Sequence, residues 1–419
     1  MRIKIFLTVL LIVSFFLSSN IGNIAYGVDN EIPVVKSEVQ KIYETTLNSG
    51  RVDGFVDLEA SHSLKNKTDF FSSRYNGGYG GGDPKVHVFG LDPKTGKQIF
   101  KNVYNDNAYG QYLGPDHEYI ARYFSGKEPN IRQSTLSLGD KGQPKWKVTL
   151  PHLFTDMKED GNFYYFRRGM DKDEKPEVIK YSRNGTLLWK YSYLNTEHYI
   201  PGLHVDLQGR TVIFFEKTSK DVKSKIVYLS TNGKKKYGFF LDKGFVHSYL
   251  ASDQIFGPDG SIYFKTWNVD TEKYRIHALD PNGKLMWSKN TDTLGDLQVG
   301  SNGTLFFVEF KGNGTPGIMT TLRAYSKQGK ELWSYQRPYI SQSNHSIIFS
   351  DYSTIYFEGE ELDLKGSYIR RFLNDSYINY YESTSIATDG TLFLFKDMKH
   401  GLVGDATINI EKYKLKISN

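Results

Sequence analysis

Apolar and polar residues alternate along this chain in short runs, and turns cut the runs at regular intervals. In the clearest case Ile276-His277-Ala278-Leu279 runs into Asp280-Pro281-Asn282-Gly283, and Lys284-Leu285-Met286-Trp287 leaves as a second strand ending in an aromatic. Proline presets φ and Asn-Gly accepts φ > 0, so the stretch predicts a β-hairpin. The same pattern recurs from Val88 to Phe100, from Tyr181 to Trp189 and from Ala324 to Trp333, with weaker copies turning at Gly142, Gly233 and Asp375. The turns fall at positions 96, 142, 185, 233, 283, 329 and 375, a spacing of 43 to 50 residues. That is the period of propeller blades.

A second phrase precedes each hairpin: Asp-Gly or Asn-Gly opening a strand of apolar and aromatic residues, as in Asp160-Gly161, Asp259-Gly260, Asn302-Gly303 and Asp389-Gly390. Looser versions start at Asp53-Gly54, Asp116-His117, Gln208-Gly209 and Tyr352-Ser353, which makes eight units. Each unit then holds four strands, and the fold class is all-β, a single β-propeller of eight four-stranded blades. The eighth unit lacks an outer strand, with Ala406 to Lys416 as its third. Val39 to Glu44, with Tyr43 at the aromatic position, supplies the missing strand from the other end of the chain. The termini thus close the ring and hide its open edges. The alternative is seven blades, with residues 28 to 60 as a lead-in.

A tryptophan stands four residues after the turn glycine in four units, at Trp146, Trp189, Trp287 and Trp333, and Phe100 and Tyr237 fill the slot in two others. A sugar platform would use such rings, but identical placement in successive units argues for packing between neighbours. Unit seven departs, placing Asn379 or Tyr380 in the slot.

Composition adds an address. Arg2 and Lys4 precede an apolar run from Ile5 to Leu17, and Ala25-Tyr26-Gly27 offers small residues to a signal peptidase. Residues 1–27 therefore read as a cleaved signal peptide and 28–419 as the propeller domain, secreted or held at the cell envelope. The apolar run is short of the roughly 18 to 20 residues of a spanning helix, so no membrane span is expected after cleavage. The chain has no cysteine, so stability must come from the core and from ring closure. The formal charge of +6 becomes +4 without Arg2 and Lys4. This is far from the clustered basic face of a nucleic-acid binder, and no nucleic acid is expected as a partner.

The phrase Gly90-Leu91-Asp92-Pro93-Lys94-Thr95-Gly96-Lys97-Gln98-Ile99-Phe100 resembles the blade motif Ala-x-Asp-x-x-Thr-Gly-Lys-x-x-Trp of the quinoprotein-dehydrogenase-like, or PQQ-like, β-propeller superfamily, and Ala278 to Trp287 and Ala324 to Trp333 are versions one residue shorter. The resemblance covers roughly residues 39 to 416 and implies the fold. Enzymes of the superfamily stack a quinone between a tryptophan and a vicinal disulfide, beside a calcium ion and a catalytic aspartate. A chain without cysteine cannot form that disulfide, and no cluster carries over as calcium ligands, so the resemblance argues against the redox activity, and no cofactor, metal or catalytic residue is expected. Many members are secreted scaffolds that bind other proteins.

Other candidate chemistry is thin. The run Tyr75 to Asp83 is rich in glycine but lacks the Lys-Ser/Thr of a phosphate cradle. Asp92, Asp259 and Asp280 sit where turns use their carboxylates as caps. His152, His204, His247 and His345 fall near inner strands, yet their offsets to the next turn differ and no ligand spacing repeats. Loops are more telling. The tight turns share one side of a propeller, whereas the loops between second and third strands share the other, and here they are long and charged at 167–177, 217–225, 311–321, 358–367 and 396–407. Arg167, Arg168, Lys223, Lys225, Trp267 and Lys311 are the candidate contacts on that side. Trp267 is the one tryptophan outside the repeated slot. The expected function is a scaffold that binds a protein or wall polymer of the cell envelope. The rival readings are a glycan- or polymer-binding propeller and, third, a quinone- or metal-dependent enzyme.

Overall fold

The computed structural model describes residues 35 and 37–416, apart from 53, 63–67, 78–84, 106–110, 114–118, 126–131, 153–154, 168–175, 194–197, 218–222, 249–254, 269, 294, 312–318, 339–346, 351–352, 374–382, 388 and 397–403. The expected signal peptide, residues 1–27, lies outside the described residues.

The described residues form strands and turns, with no helix, gathered into eight four-stranded antiparallel sheets. In chain order the first four blades are Gly54–His62, Asp69–Gly77, Lys85–Leu91 and Gln98–Asn105; Gln111–Leu113, Tyr119–Ser125, Arg132–Leu138 and Pro144–Leu150; Asp156–Met157, Phe163–Arg167, Glu177–Tyr181 and Leu187–Ser192; and His198–Val205, Thr211–Lys217, Lys225–Leu229 and Lys235–Phe240. The next three are Phe245–Ser248, Ile262–Asn268, Lys273–Leu279 and Leu285–Thr291; Leu297–Val299, Leu305–Lys311, Met319–Tyr325 and Glu331–Pro338; and Ile348–Phe349, Thr354–Phe357, Glu360–Asp363 and Tyr368–Arg371. The eighth takes Ser383–Ile386, Thr391–Lys396 and Gly404–Leu415 from one end of the chain and Val39–Val52 from the other.

Each hairpin between third and fourth strands follows one local rule. In the turn after Leu279, the Asp280 carbonyl accepts the Gly283 N–H at 2.9 Å, and Asp280 Oδ1 accepts the N–H groups of Asn282 and Lys284, also at 2.9 Å. Gly283 sits at φ +83°, the left-handed region that glycine enters at no steric cost. The register then slips: Leu279 faces Leu285 while Ala278 faces Trp287, so Met286 is a bulge. The same slip places Phe100, Trp146, Trp189, Tyr237 and Trp333. Each bulge turns the ring toward the next blade.

There five of the six rings meet that blade's turn glycine; Trp146 instead packs edge-on against Phe163 with Arg183 over its face, and Val148 lies on Gly185. A Cβ on Gly233 would lie 2.7 Å from the Trp189 ring, one on Gly329 2.8 Å from Trp287, and one on Gly366 2.5 Å from Trp333. Trp189, Trp287 and Trp333 also donate their indole N–H to the carbonyls of Thr231, Lys327 and Leu364, at 3.1, 2.8 and 3.1 Å. Each acceptor lies two residues before the turn glycine. The slot is a link between blades, as its regular placement implied.

Eight buried apolar clusters fill eight seams between successive blades, and the last two join blade seven to blade eight and blade eight to blade one. The sheets therefore close into a propeller. Closure uses the expected strand: Val39–Val52 pairs antiparallel with Gly404–Leu415, and the slip between Lys41 and Tyr43 reproduces the hairpin bulge with no hairpin present. Tyr43 packs on Gly96 of blade one and donates its hydroxyl to Asp69 at 2.8 Å, while Lys412 Nζ reaches the same Asp69 oxygen at 2.7 Å and the Pro93 carbonyl at 2.9 Å. Asp69 and Lys412 are both buried, and a buried pair stripped of one partner leaves an uncompensated charge.

Three expectations need correction. The hairpin of blade seven turns at Gly366, not Asp375, because Phe357 and Glu360 are joined by the tight turn Glu358-Gly359 rather than by a long loop. Residues 358–367 are therefore no loop, and the slot holds Arg370 in place of Asn379 or Tyr380, which lie outside the described residues. Arg370 donates to the Lys416 carbonyl, doing for blade eight what the indoles do elsewhere. Asp53-Gly54 opens the first strand of blade one rather than its second.

Gly329→Ala forces a left-handed alanine into the Trp287 ring and is expected to cost about 1–3 kcal/mol. Trp287→Ala is expected to cost about 3 kcal/mol, the low end for a truncated tryptophan because the ring is only partly buried. Urea unfolding midpoints test both, and an unchanged midpoint in either would break the proposed link.

Candidate functional site

Antiparallel strands alternate in direction, so each blade sends its first–second and third–fourth turns to one side of the ring and its second–third loop to the other. The sequence candidates sort onto the loop side of four consecutive blades: Arg167 ends the second strand of blade three, Lys223 and Lys225 lead into the third strand of blade four, and Trp267 and Lys311 lie in the last two residues of the second strands of blades five and six. Arg168 lies outside the described residues.

Their surroundings differ. Arg167 Nη2 stands 3.5 Å from Glu177 Oε1, across the mouth of its own loop. Lys223 is exposed. Trp267 is half-buried, stacked on Tyr274 with centroids 6.4 Å apart, and its indole N–H is buried without a hydrogen-bond partner. Lys225 is buried, contrary to the exposed contact that its charge suggested. Its ammonium sits 3.5 Å from the Tyr193 ring centroid, 5.4 Å from Phe215 and 5.8 Å from Phe240. Burial, with Lys235 nearby, pulls its pKa down to about 8. The rings offset part of that desolvation through their negative faces. Tyr193 lies in the crossing between blades three and four, where no pattern in the sequence signals it.

The turn side carries a feature that sequence reasoning missed: a cavity of about 290 Å³ at the inner turns of blades three to six, lined by Glu159, His204, Arg210, Phe256, Pro258 and Ser301 among others. Two of its charged groups, Asp206 and Arg210, are committed to each other. Asp206 Oδ1 accepts the N–H groups of Gln208 and Arg210 at 3.1 and 2.8 Å, and Asp206 Oδ2 pairs with the Arg210 guanidinium. At its floor His204 is held neutral, with burial first and then Lys158 and Lys265 driving its pKa down to about 3.

The other channel-side histidines are packing residues. His247 stacks on Phe214 with centroids 3.4 Å apart, and His152 stacks on Tyr165 at 4.3 Å. His277, not singled out from the sequence, stacks on Phe264 at 4.8 Å and shares a 2.8 Å hydrogen bond with Thr266. His345 lies outside the described residues. Among the described residues no three His, Asp or Glu side chains converge as metal ligands.

No family model matches the chain, and no curated protein matches it. Among solved structures, it is similar to a europium-containing methanol dehydrogenase at 10% identity, over 88% of this chain and 93% of that one, with a TM-score of 0.46. It is also similar to the quinohemoprotein alcohol dehydrogenase of Comamonas testosteroni at 10% identity, over 90% and 76%, with a TM-score of 0.48, and to a eukaryotic initiation factor at 13%, over 82% of each chain, with a TM-score of 0.47. Quinoprotein dehydrogenases, whose blade motif the sequence resembles, are thus among the similar structures. The propeller itself stands on its sheets and seams. The residues present do not fit the quinone sandwich of such enzymes, since the chain has no cysteine for the vicinal disulfide.

Buried neutral histidines set a pH dependence. Between pH 6.5 and about 3 the unfolded chain takes up protons that His204 cannot, and His277, lowered by burial to about 4, adds to the effect. Their contribution to stability is complete above pH 6.5 and falls as pH drops toward 3. The urea midpoint is expected to decrease from pH 7 to 4.5, and less steeply in His204→Phe. An equal slope in the variant would place the loss elsewhere.

Proposed function

We propose that this chain is a secreted, non-catalytic propeller that binds a protein of the cell envelope through its loop side. One observation carries the reading: four consecutive blades bring Arg167, Lys223, the Trp267–Tyr274 stack and the strand end at Lys311 to one side of a closed ring. A half-buried tryptophan on the same side as basic residues of neighbouring blades is the composition of an interface anchor with a polar rim. Several inner-turn charges are held in closer pairs than Arg167 with Glu177 at 3.5 Å, among them Lys180 with Asp160 at 2.7 Å and Lys414 with Asp389 at 2.7 Å. Fold-level likeness adds nothing to this reading, since one fold hosts many functions.

Cross-linking capture with the tagged chain on intact secreting cells, read by mass spectrometry, is expected to recover one dominant protein. Trp267→Ala, and separately Arg167→Glu with Lys223→Glu, are each expected to weaken that complex at least about 10-fold, the scale of a central interface residue. Undiminished capture by both variants would refute the loop side as the docking surface.

A further inference from the structure

We infer that the turn side of the ring is a docking face for a bilayer rich in anionic phospholipid. The argument begins with the hairpin turns of blades one to seven, which hold nine basic residues against four acidic ones. Three of the four acids, Asp92, Asp280 and Asp363, fold their carboxylates back onto turn N–H groups. Lys94, Lys97, Lys141, Lys234, Lys284 and Lys330 remain as exposed side chains spread around the rim. The inner turns on the same side are richer in acids, but Asp160, Asp206, Asp259 and Asp389 each hold a cation, leaving Glu159, next to Lys158, as the exposed acid of the cavity mouth. Among the described residues the face is therefore a basic rim around a centre whose acids, Glu159 apart, are paired.

Apolar residues share that ring. Of the eleven exposed large hydrophobic residues among the described ones, nine lie in a tight turn or two to three residues past the turn glycine. Leu187, Leu285 and Leu332 are 58%, 42% and 51% exposed, each within about 10 Å of a turn tip by the rise of a strand, and Leu207 in an inner turn is 73% exposed. Lysine alone would serve any polyanion. Leucine beside lysine, repeated around a ring whose turn tips all face one way, matches a surface with charged headgroups over an apolar layer. A linear polymer uses the charges and leaves the leucines in water.

The test is sedimentation of residues 28–419, which contain every strand of the ring, with vesicles of phosphatidylcholine alone or mixed with phosphatidylglycerol. Binding is expected only to the anionic vesicles and is expected to fall at high salt. Each lysine near such a surface contributes about five-fold to partitioning, so Lys141→Gln, Lys234→Gln and Lys284→Gln together are expected to weaken binding on the order of 100-fold. Leu187→Ser with Leu285→Ser is expected to weaken it about ten-fold at an unchanged melting temperature, from lost apolar burial. Equal binding to neutral vesicles, or indifference to the three lysines, would overturn the inference. So would salt-sensitive binding to long-chain polyphosphate that ignores the leucines and is not matched on vesicles, which would reassign the face to a polymer. Arg167→Glu with Lys223→Glu, on the other side, is expected to leave vesicle binding intact, so this inference and the loop-side reading fail separately.

Discussion

The ring depends on one contact: a large side chain at the bulge of an outer strand lying flat on the turn glycine of the next blade. It joins three local facts that only work together. The turn needs a residue at positive φ, which selects glycine; the bulge needs the extra residue that the turn leaves behind; and the bulge aims the ring at the one position whose missing Cβ leaves room for it. Gly90 extends the logic within a blade, since a Cβ there would lie 2.0 Å from the Phe100 ring. Lose any one and the neighbour's position is no longer set. Made at six of the eight seams, with Val148 on Gly185 and Arg370 on the Lys416 carbonyl at the other two, the contact makes each blade's geometry a condition on the next, as in other repeat proteins whose stability lies in nearest-neighbour interfaces.

A ring built this way has to end where it began, and the chain does so by division of labour. Blade eight has no hairpin to generate its bulge, yet Val39–Val52 arrives with the same slip and presents Tyr43 to Gly96. The Asp69–Lys412 pair and the Tyr43 hydroxyl then tie residues from both ends of the chain to blade one. This is an expensive arrangement in a dry seam, and its use at the closing seam fits a need for register rather than raw stability, because a terminal strand has no short loop to fix its alignment. A chain with no disulfide thereby gains a long-range clasp.

How much was legible follows from the same contact. Six of the seven hairpin turns were placed from Asp, Asn and Gly alone, and the strand completing blade eight was found by its aromatic, because both signals are local in sequence. The seventh turn was misplaced at Asp375 because a constant period was assumed, whereas blade seven replaces its second–third loop with Glu358-Gly359, both at positive φ, and shortens the unit. Arg370 in the slot was invisible for a related reason: its partner is the Lys416 carbonyl, and a carbonyl has no sequence signature. Lys225 shows the deeper limit. A lysine at a strand start beside a charged loop reads as solvent-facing, and only the crossing that brings Tyr193 to 3.5 Å reverses that.

The turn chemistry also accounts for the charge asymmetry of the two sides. An aspartate at the first turn position has acceptor oxygens for the backbone N–H groups and is drawn inward, as Asp92 and Asp363 are, their carboxyls held below the usual range by the hydrogen bonds of Thr95 and Ser367. A lysine has donors only, finds no cap to make, and extends into water. Turns written with both residues therefore neutralise their acids and display their bases, whatever the ring is for. Basic tips are thus a by-product of the fold. Exposed leucines are not, since neither the turn nor the bulge needs an apolar side chain two residues past the glycine, and in blades one and six Gln98 and Glu331 occupy that position. The leucines are what separates a face with a use from a face that is merely the outside of its own turns.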